Sequence, residues 1–297
     1  MQFSSNPAII ETERPAPGPG QLLIRTELAG LGLGLVRMLK AGKLSELGGE
    51  MVGTVAAVGA DLSPEWLGKR VGGVVFGEVY AEYVLAVPQL ITEIPEGVDA
   101  ADALVVVRGG LIAQGVLKTS RFAAGESVLI TGAASGTGHL AVQLAKALGA
   151  SRVIAAVSSS GKAEFLRECG ADAVVTYDEP WGEPVDVVLD GVGGDLVQRG
   201  ADALAPHGRL VAFSAGGGAV DAGSLLAGLK TVTGFSVGLL SRTRLDLLDS
   251  WRAELWELLA AGKLRPRHTV LPLERLGEGV ALIESRRNLG RLVVRMA

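Results

Sequence analysis

Cysteine, histidine and aromatic residues are scarce in this chain, and each scarcity removes a class of function. The single cysteine, Cys169 in FLRECGADAV, excludes an intrachain disulfide and any zinc site built on a cysteine cluster. With Gly170 after it, Cys169 reads as a small buried apolar group near a helix end. The three histidines, His139, His207 and His268, are scattered without the short spacings of metal ligands, so each reads as a surface or core residue and no metal is expected. Neither charge sign is in large excess: 28 Lys and Arg stand against 32 Asp and Glu, a net charge of -4. The two signs are interspersed, so no basic surface is offered to nucleic acid. The opening MQFSSNPAIIETERP has neither a basic leader nor an apolar run. No later apolar stretch is expected to reach the roughly 18 to 20 residues of a membrane span. A soluble, cytoplasmic protein with no membrane partner is expected.

What is present is aliphatic. The 297 residues are 48% hydrophobic but only 4% aromatic, so Ala, Val, Leu and Gly fill the interior, as suits tightly packed α/β layers. The length predicts about two domains. From about Gln21 to Pro88 the text is strand-like and broken by glycine, in QLLIRTELAG, EMVGTVAAVG, KRVGGVVFG and YAEYVLAVP, which predicts a mostly β domain. Pro15, Pro17 and Pro19 make its entry extended or looped. Strands and helices then alternate: SVLITG, a helix to Leu148, RVIAAVSS, KAEFLREC, DAVVTY, VDVVLDGVGG, DLVQRGADAL and GRLVAFSA. That order predicts a doubly wound parallel sheet. A third texture follows, with a long helix around RLDLLDSWRAELWELLAAGK, then LPLERLGEGVALIESRR and a terminal strand GRLVVRM. Leu245, Leu248, Trp251, Leu255, Leu258 and Leu259 share one helical face there, so Trp251 reads as core.

The stretch ITGAASGTGHLAVQLAKALGA, residues 130–150, carries the clearest chemistry. It is a strand end, a glycine turn and a helix with Leu140, Leu144, Ala147 and Leu148 on one stripe, closed by Gly149. Backbone N–H groups at a helix start attract a pyrophosphate if no side chain blocks it, and Gly132, Gly136 and Gly138 clear that space. The spacing departs from G-x-G-x-x-G, because Ala134, Ser135, Gly136, Thr137 and Gly138 follow Ala133. A second reading stays open, in which Gly138 only lets helix and strand pack closely. The next strand bears on the choice. An NAD site ends it with an Asp or Glu on the ribose hydroxyls, whereas here stand Ser158, Ser159, Ser160, Gly161 and Lys162. Hydroxyls and a lysine suit a 2′-phosphate, each charge-assisted hydrogen bond being worth about 1.5 to 3 kcal/mol. The expected cofactor is NADPH rather than NADH.

The segments PGPGQLLIRTELAGLG, GGEMVGTVAAVGADLS, LGKRVGG, YAEYVLAVP, AAGESVLITGAASGTGHLAVQLAKALGA, VDVVLDGVGGDLVQRGADALAPHGRLVAF and LLAGLKTVTGFS together resemble the zinc-independent quinone oxidoreductase branch of the medium-chain dehydrogenase/reductase superfamily. The resemblance covers almost the whole chain. It implies an α/β fold in which a Rossmann domain is inserted in a GroES-like, mostly β domain. The expected boundaries are a first catalytic segment over 1–102, the NADP-binding domain over 103–241, and a returning segment over 242–297. It also implies a homodimer. Tyr177 resembles a tyrosine stacking near the adenosine 2′-phosphate, and Arg286 an arginine pairing with it.

The acceptor side departs from the family. Zinc-dependent relatives carry a Cys and a Gly-His-Glu histidine where this chain has Gly32 and Gly49, with Glu50 retained, so a catalytic zinc is not expected. Zinc-free reductases show Asn-Pro-x-Asp and a later tyrosine, where this chain has Gly32, Leu33, Leu35 and Leu44, and Ile112 replaces a threonine. Pocket candidates are therefore Arg108, Tyr80, Gly49, Ile112 and backbone donors at Gly32 and Gly34, with no catalytic residue assigned. The implied activity is hydride transfer from NADPH to a small, apolar or quinone-like acceptor or an activated C=C bond. Two alternatives remain: an enoyl reductase acting on a thioester, and an NADPH-binding sensor or structural protein with little turnover.

Overall fold

A computed structural model describes residues 10–40, 48–214 and 216–296. The chain divides into two compact units, the first Met1–Arg108 with Arg267–Ala297, the second Gly109–Pro266. Leu44, singled out on the acceptor side, lies outside the described residues.

In chain order the strands of the first unit are β1 (Leu22–Leu31), β2 (Gly49–Val58), β3 (Arg70–Val75), β4 (Tyr83–Ala86) and β5 (Ile91–Glu93). The second unit holds β6 (Ser127–Thr131), β7 (Arg152–Val157), β8 (Ala173–Thr176), β9 (Val185–Asp190), β10 (Leu204–Ala212) and β11 (Thr231–Gly234). The chain then returns to the first unit for β12 (His268–Pro272) and β13 (Arg291–Arg295). The helices are α1 (Leu33–Lys40), α2 (Ala100–Val105), α3 (Leu111–Thr119), α4 (Gly138–Ala147), α5 (Ala163–Glu168), α6 (Asp195–Asp202), α7 (Ala222–Gly228), α8 (Val237–Thr243), α9 (Leu245–Ala260) and α10 (Leu276–Glu284).

The first unit is built on a sheet of order β12-β13-β1-β2-β3-β5, with β4 also on β1. Its pairs are antiparallel except β12 with β13. Strand β1 divides one of its edges: Leu22 to Arg25 pair with β4, and Leu28 to Leu31 pair with β13. Its middle, where Arg25 and Glu27 point to solvent, is flanked by register shifts against β2. Such irregularities bend a strand. Leu22, Ile24, Leu31, Met51, Val71 and Val294 close the core of this unit.

The second unit is a parallel sheet of order β11-β10-β9-β6-β7-β8. Strands β6, β7 and β9 are buried along nearly their whole length, as strands between helix layers are. Because β6 lies between β7 and β9, chain direction across the sheet reverses there, and ligands of such sheets sit beyond the C-terminal strand ends at that point. In α4, Leu140 and Leu144 are buried as the stripe predicts, but Ala147 and Leu148 are exposed because the helix ends there, with Gly149 at φ +86°.

Helix α9 shows where texture misleads. The expected return to the first domain at 242 placed it with the C-terminal segment, yet it packs in the second unit. Leu248, Trp251 and Leu255 are buried, Trp251 lies 6.5 Å from Phe235 between ring centroids, and Glu254 accepts from Gln114 of α3 at 2.6 Å. A long amphipathic helix announces its own buried face but not the unit against which it buries it. The helical run Ala100–Thr119 corrects another expectation, being long and apolar enough by composition to cross a membrane. Most of it is buried inside the protein, and a core helix has that same composition.

Arg209 of β10 makes two hydrogen bonds to the Glu126 carboxylate, at 2.7 and 2.5 Å, just before β6. Those bonds hold the Glu126 carboxyl below its ordinary range. A carboxyl lowered on folding stabilises above its unfolded value, and the contribution is lost as pH falls through the folded one. The expected outcome is that Glu126→Gln lowers unfolding free energy by about 1 to 2 kcal/mol at neutral pH. The difference from wild type should shrink as pH is lowered below the ordinary carboxylate range, as read by urea titration at neutral and acid pH.

Candidate functional site

At the C-terminal end of β6 the chain turns through Gly132, whose φ is +62°, a backbone that residues with a Cβ rarely adopt. Its N–H donates to the Tyr177 hydroxyl at 3.1 Å. Ser135 then closes the turn: its N–H donates to the Gly132 carbonyl at 2.9 Å, and its hydroxyl oxygen accepts from the Gly138 N–H at 3.0 Å. One of the four unmatched donors of the α4 N-terminus is thereby satisfied. A Cβ on Gly138 would lie 2.7 Å from Ala133 Cα, so that glycine is required for helix-to-strand packing. Ala134 and Gly136 are buried, Thr137 is half-buried and Ser135 is exposed. The buried His139 places Nδ1 at 2.9 Å from the Ser135 carbonyl, which makes it part of the turn.

The neighbouring strand ends supply the polar groups read from the sequence. Ser158 and Ser159 are exposed just past β7, Ser159 accepts from the Gly161 N–H at 3.4 Å, and Lys162 Nζ lies 3.5 Å from the Ser158 hydroxyl. Tyr177, just past β8, donates its N–H to Val157 at 3.0 Å. The structure therefore brings Gly132, Ser158, Lys162 and Tyr177 to one edge of the sheet, and the carboxylate of an NAD site is absent from residues 158–162.

A second polar assembly there escaped sequence reasoning. Asp190, fully buried at the end of β9, accepts from the Thr131 hydroxyl at 2.6 Å and from the Gly193 N–H at 2.9 Å. The Thr131 oxygen in turn accepts from the Gly191 N–H at 3.0 Å. This clamp ties the loop after β9 to the strand that leads into the glycine turn. Its one signal in the sequence was an acid closing an apolar run directly before GVGG, in VDVVLDGVGG.

The first unit holds the other candidates, and they are less stripped than the sequence suggests. Glu50, 2% exposed on β2, receives Arg291 Nη2 on Oε1 and faces Arg108 Nη1 at 3.5 Å from Oε2. Arg108 stands in a π-helical turn, Val106–Gly110, a geometry found often at functional sites. Burial pushes its guanidinium pKa down, opposed by the nearby Tyr80. Arg291, which the sequence reading did not single out, is pushed down by burial to about 10 and is a cation at neutral pH. Tyr80 donates its hydroxyl to the Gly30 carbonyl at 2.7 Å, and burial raises its pKa far above the ordinary phenol value. It is engaged with backbone rather than presented as a proton donor.

The remaining candidates are dispersed. Gly49 lies against Val79, Gly34 is exposed in α1, and half-buried Ile112 opens α3 in the second unit. Arg286 is exposed beyond α10 at φ +54° in the first unit. Asp99, Asp102 and His268 bring ligand-type atoms within 4.8 Å of one another. Asp99 there caps α2 through the Ala101 and Asp102 N–H groups, and His268 Nε2 lies 3.1 Å from Asp102.

A family model described as zinc-binding dehydrogenase matches residues 136–259. A quinone oxidoreductase of Pseudomonas aeruginosa is 33% identical over 267 residues, covering 82% of this chain and 77% of that protein. The chain belongs to the quinone oxidoreductase-like branch of the medium-chain dehydrogenase/reductase superfamily. A mycocerosic acid synthase-like polyketide synthase of Mycolicibacterium smegmatis is 28% identical over 96% of this chain, which spans only 14% of that synthase. The Escherichia coli quinone oxidoreductase, solved in complex with NADPH, superposes with a TM-score of 0.87 at 26% identity, covering 96% of this chain and 94% of that one. Membership of this superfamily agrees with the α/β architecture and its Rossmann sheet.

Glu50 is the most exposed point of failure in the first unit's chemistry. Removing its charge takes the ion-pair partner from the buried Arg291 and from the partly exposed Arg108. Glu50→Gln is expected to lower unfolding free energy by about 3 to 5 kcal/mol, read as a shift in the urea midpoint. An unchanged midpoint would show that the ion pairs contribute nothing.

Proposed function

We propose that this chain is an NADPH-dependent oxidoreductase that transfers hydride, without a catalytic metal, to a quinone or an activated C=C bond. One observation carries the reading: the switch point of the parallel sheet gathers a glycine turn, two serines, a lysine and a tyrosine, with no acid at the end of β7. When bound, NADPH would supply the hydride.

The residues fit that group. Ala134, Ser135, Gly136, Thr137 and Gly138 would hold the pyrophosphate at the start of α4. Because the Ser135 oxygen already accepts from Gly138, its own proton is directed elsewhere and is available to an anion. Ser158, Ser159, Lys162 and Tyr177 would hold the adenosine 2′-phosphate, with Lys162 supplying charge. The Asp190 clamp would keep the loop after β9 in one conformation beside the cofactor. Arg286, which the resemblance ties to the same phosphate, is not required by this reading.

Gly32 and Gly49 offer no ligand atom from a side chain, and the Arg291 guanidinium beside Gly32 opposes a metal ion by its charge. This supports a metal-independent reaction. The alignment with a polyketide synthase favours a second reading, reduction of an enoyl thioester. Engagement of Tyr80 with backbone favours a third, an NADPH sensor with little turnover.

The test begins with cofactor binding by the purified chain. Wild type is expected to bind NADPH more tightly than NADH. Lys162→Glu should weaken NADPH by about 10- to 100-fold, the equivalent of one or two charge-assisted hydrogen bonds, while leaving NADH nearly unchanged. Equal affinity of wild type for both nucleotides would sink the assignment. Faster oxidation by ortho-quinones than by crotonyl-type thioesters supports the first reading, the reverse order the second, and tight binding without turnover the third.

A further inference from the structure

Helix α4 carries two buried polar side chains one turn apart, His139 and Gln143. Burial of such groups is costly unless each is hydrogen-bonded. Gln143 meets the demand at the backbone of Arg265, accepting from its N–H at 2.7 Å and donating to its carbonyl at 3.0 Å. His139 meets it at the glycine turn, with Nδ1 at 2.9 Å from the Ser135 carbonyl. A carbonyl only accepts, so Nδ1 carries the proton of this bond. The same carbonyl accepts the His139 N–H at 3.2 Å, and both of its lone pairs are thereby engaged from the helix side.

The consequence falls on the next residue. A peptide unit is planar and trans, so its C=O and N–H point in opposite directions. His139 holds the Ser135 carbonyl towards the helix, and the Gly136 N–H of the same peptide therefore points out beyond the helix start. Gly136 is buried, and among the described residues no acceptor is found for its N–H. Buried N–H groups are nearly always paired, so the turn presents a donor whose acceptor a ligand can bring. The following peptide is confined as well, since a Cβ on Gly109 would lie 3.2 Å from the Gly136 carbonyl.

We propose that His139 is a positioning residue of the cofactor site: through the Ser135 carbonyl it aims the Gly136 N–H at the pyrophosphate. The proposal rests on the NADPH reading and adds to it a side chain that acts from beneath the turn. The imidazole works through Ser135 and does not itself touch the nucleotide. A donor already aimed at an anion need not be ordered when the anion arrives, and preorganisation of this kind raises affinity. His139→Leu keeps the backbone bond to Ser135 but removes the ring bond, which frees the peptide to tilt and the Gly136 N–H to lose its aim.

Two probes separate the phosphates: 2′-phospho-ADP-ribose, which carries the pyrophosphate, and adenosine 2′-monophosphate, which does not. His139→Leu is expected to weaken the first by about 3- to 10-fold, the equivalent of one hydrogen bond, and to leave the second unchanged. His139→Asn, whose amide nitrogen stands where Nδ1 stood, should recover most of that loss. Gln143→Leu is the control for damage to the helix: it should lower the urea midpoint and leave both affinities as in wild type. Equal weakening of both probes by His139→Leu overturns the proposal, as does an unaltered affinity for 2′-phospho-ADP-ribose in the folded variant. If His139→Leu does not fold, amide hydrogen exchange of the wild type decides. The Gly136 amide should be protected by 2′-phospho-ADP-ribose and not by adenosine 2′-monophosphate, and unchanged exchange there overturns the proposal. Wild type that binds neither probe removes the NADPH reading itself, and the proposal with it.

Discussion

Strand β1 joins its partner β13 from the far end of the chain along Leu28 to Leu31. That antiparallel pairing is the constraint on which the first unit depends. It recruits the C-terminal segment into the sheet, buries Leu292 and Val294 in the core, and shares one edge of β1 with β4. A slip of one residue would turn every side chain of β13 to the other face. The same register fixes where Arg291 stands, so the stability of the sheet and the position of the cation cannot be changed independently. The charged cluster follows: Glu50 is tolerable at 2% exposure only because two arginines from distant parts of the chain meet it. A buried carboxylate without them would be driven to take up a proton.

In the second unit the comparable economy lies in backbone hydrogen bonds around the switch point. A tight strand-to-helix turn leaves N–H groups that need partners, and here Tyr177 accepts from Gly132 while Ser135 accepts from Gly138. Thr131 and Asp190 do the same for the loop after β9. The two readings of the glycine turn, phosphate cradle and packing turn, are not alternatives. Gly138 is required by packing against Ala133, and this packing leaves Ser135 and Thr137 as the more open groups of the turn.

Much of this was legible before any coordinates. Alternating strands and helices marked the Rossmann unit because a buried parallel strand must be apolar on both faces, and VDVVLD can hardly be anything else. Ser158, Ser159 and Lys162 could be read because they follow their strand directly in the chain. Arg291 could not: in GRLVVRM it is a cation opening a short strand, and nothing local distinguishes it from a solvated one. Asp190 carries one local mark, an acid closing an apolar run, but its partner Thr131 is far away in the chain, and the face of α9 does not say which unit it packs in.

What the amino-acid sequence determined by itself was therefore local and periodic: element types, the α/β class, the cofactor-type turn and the absence of an acid after β7. These depend on neighbours within a few positions, where backbone geometry and side-chain period act directly. The tertiary structure alone decided which charges meet. Coulombic and desolvation energies depend on distance in space, and residues as far apart in the chain as Gly32, Glu50, Arg108 and Arg291 become neighbours only when strand register brings them together.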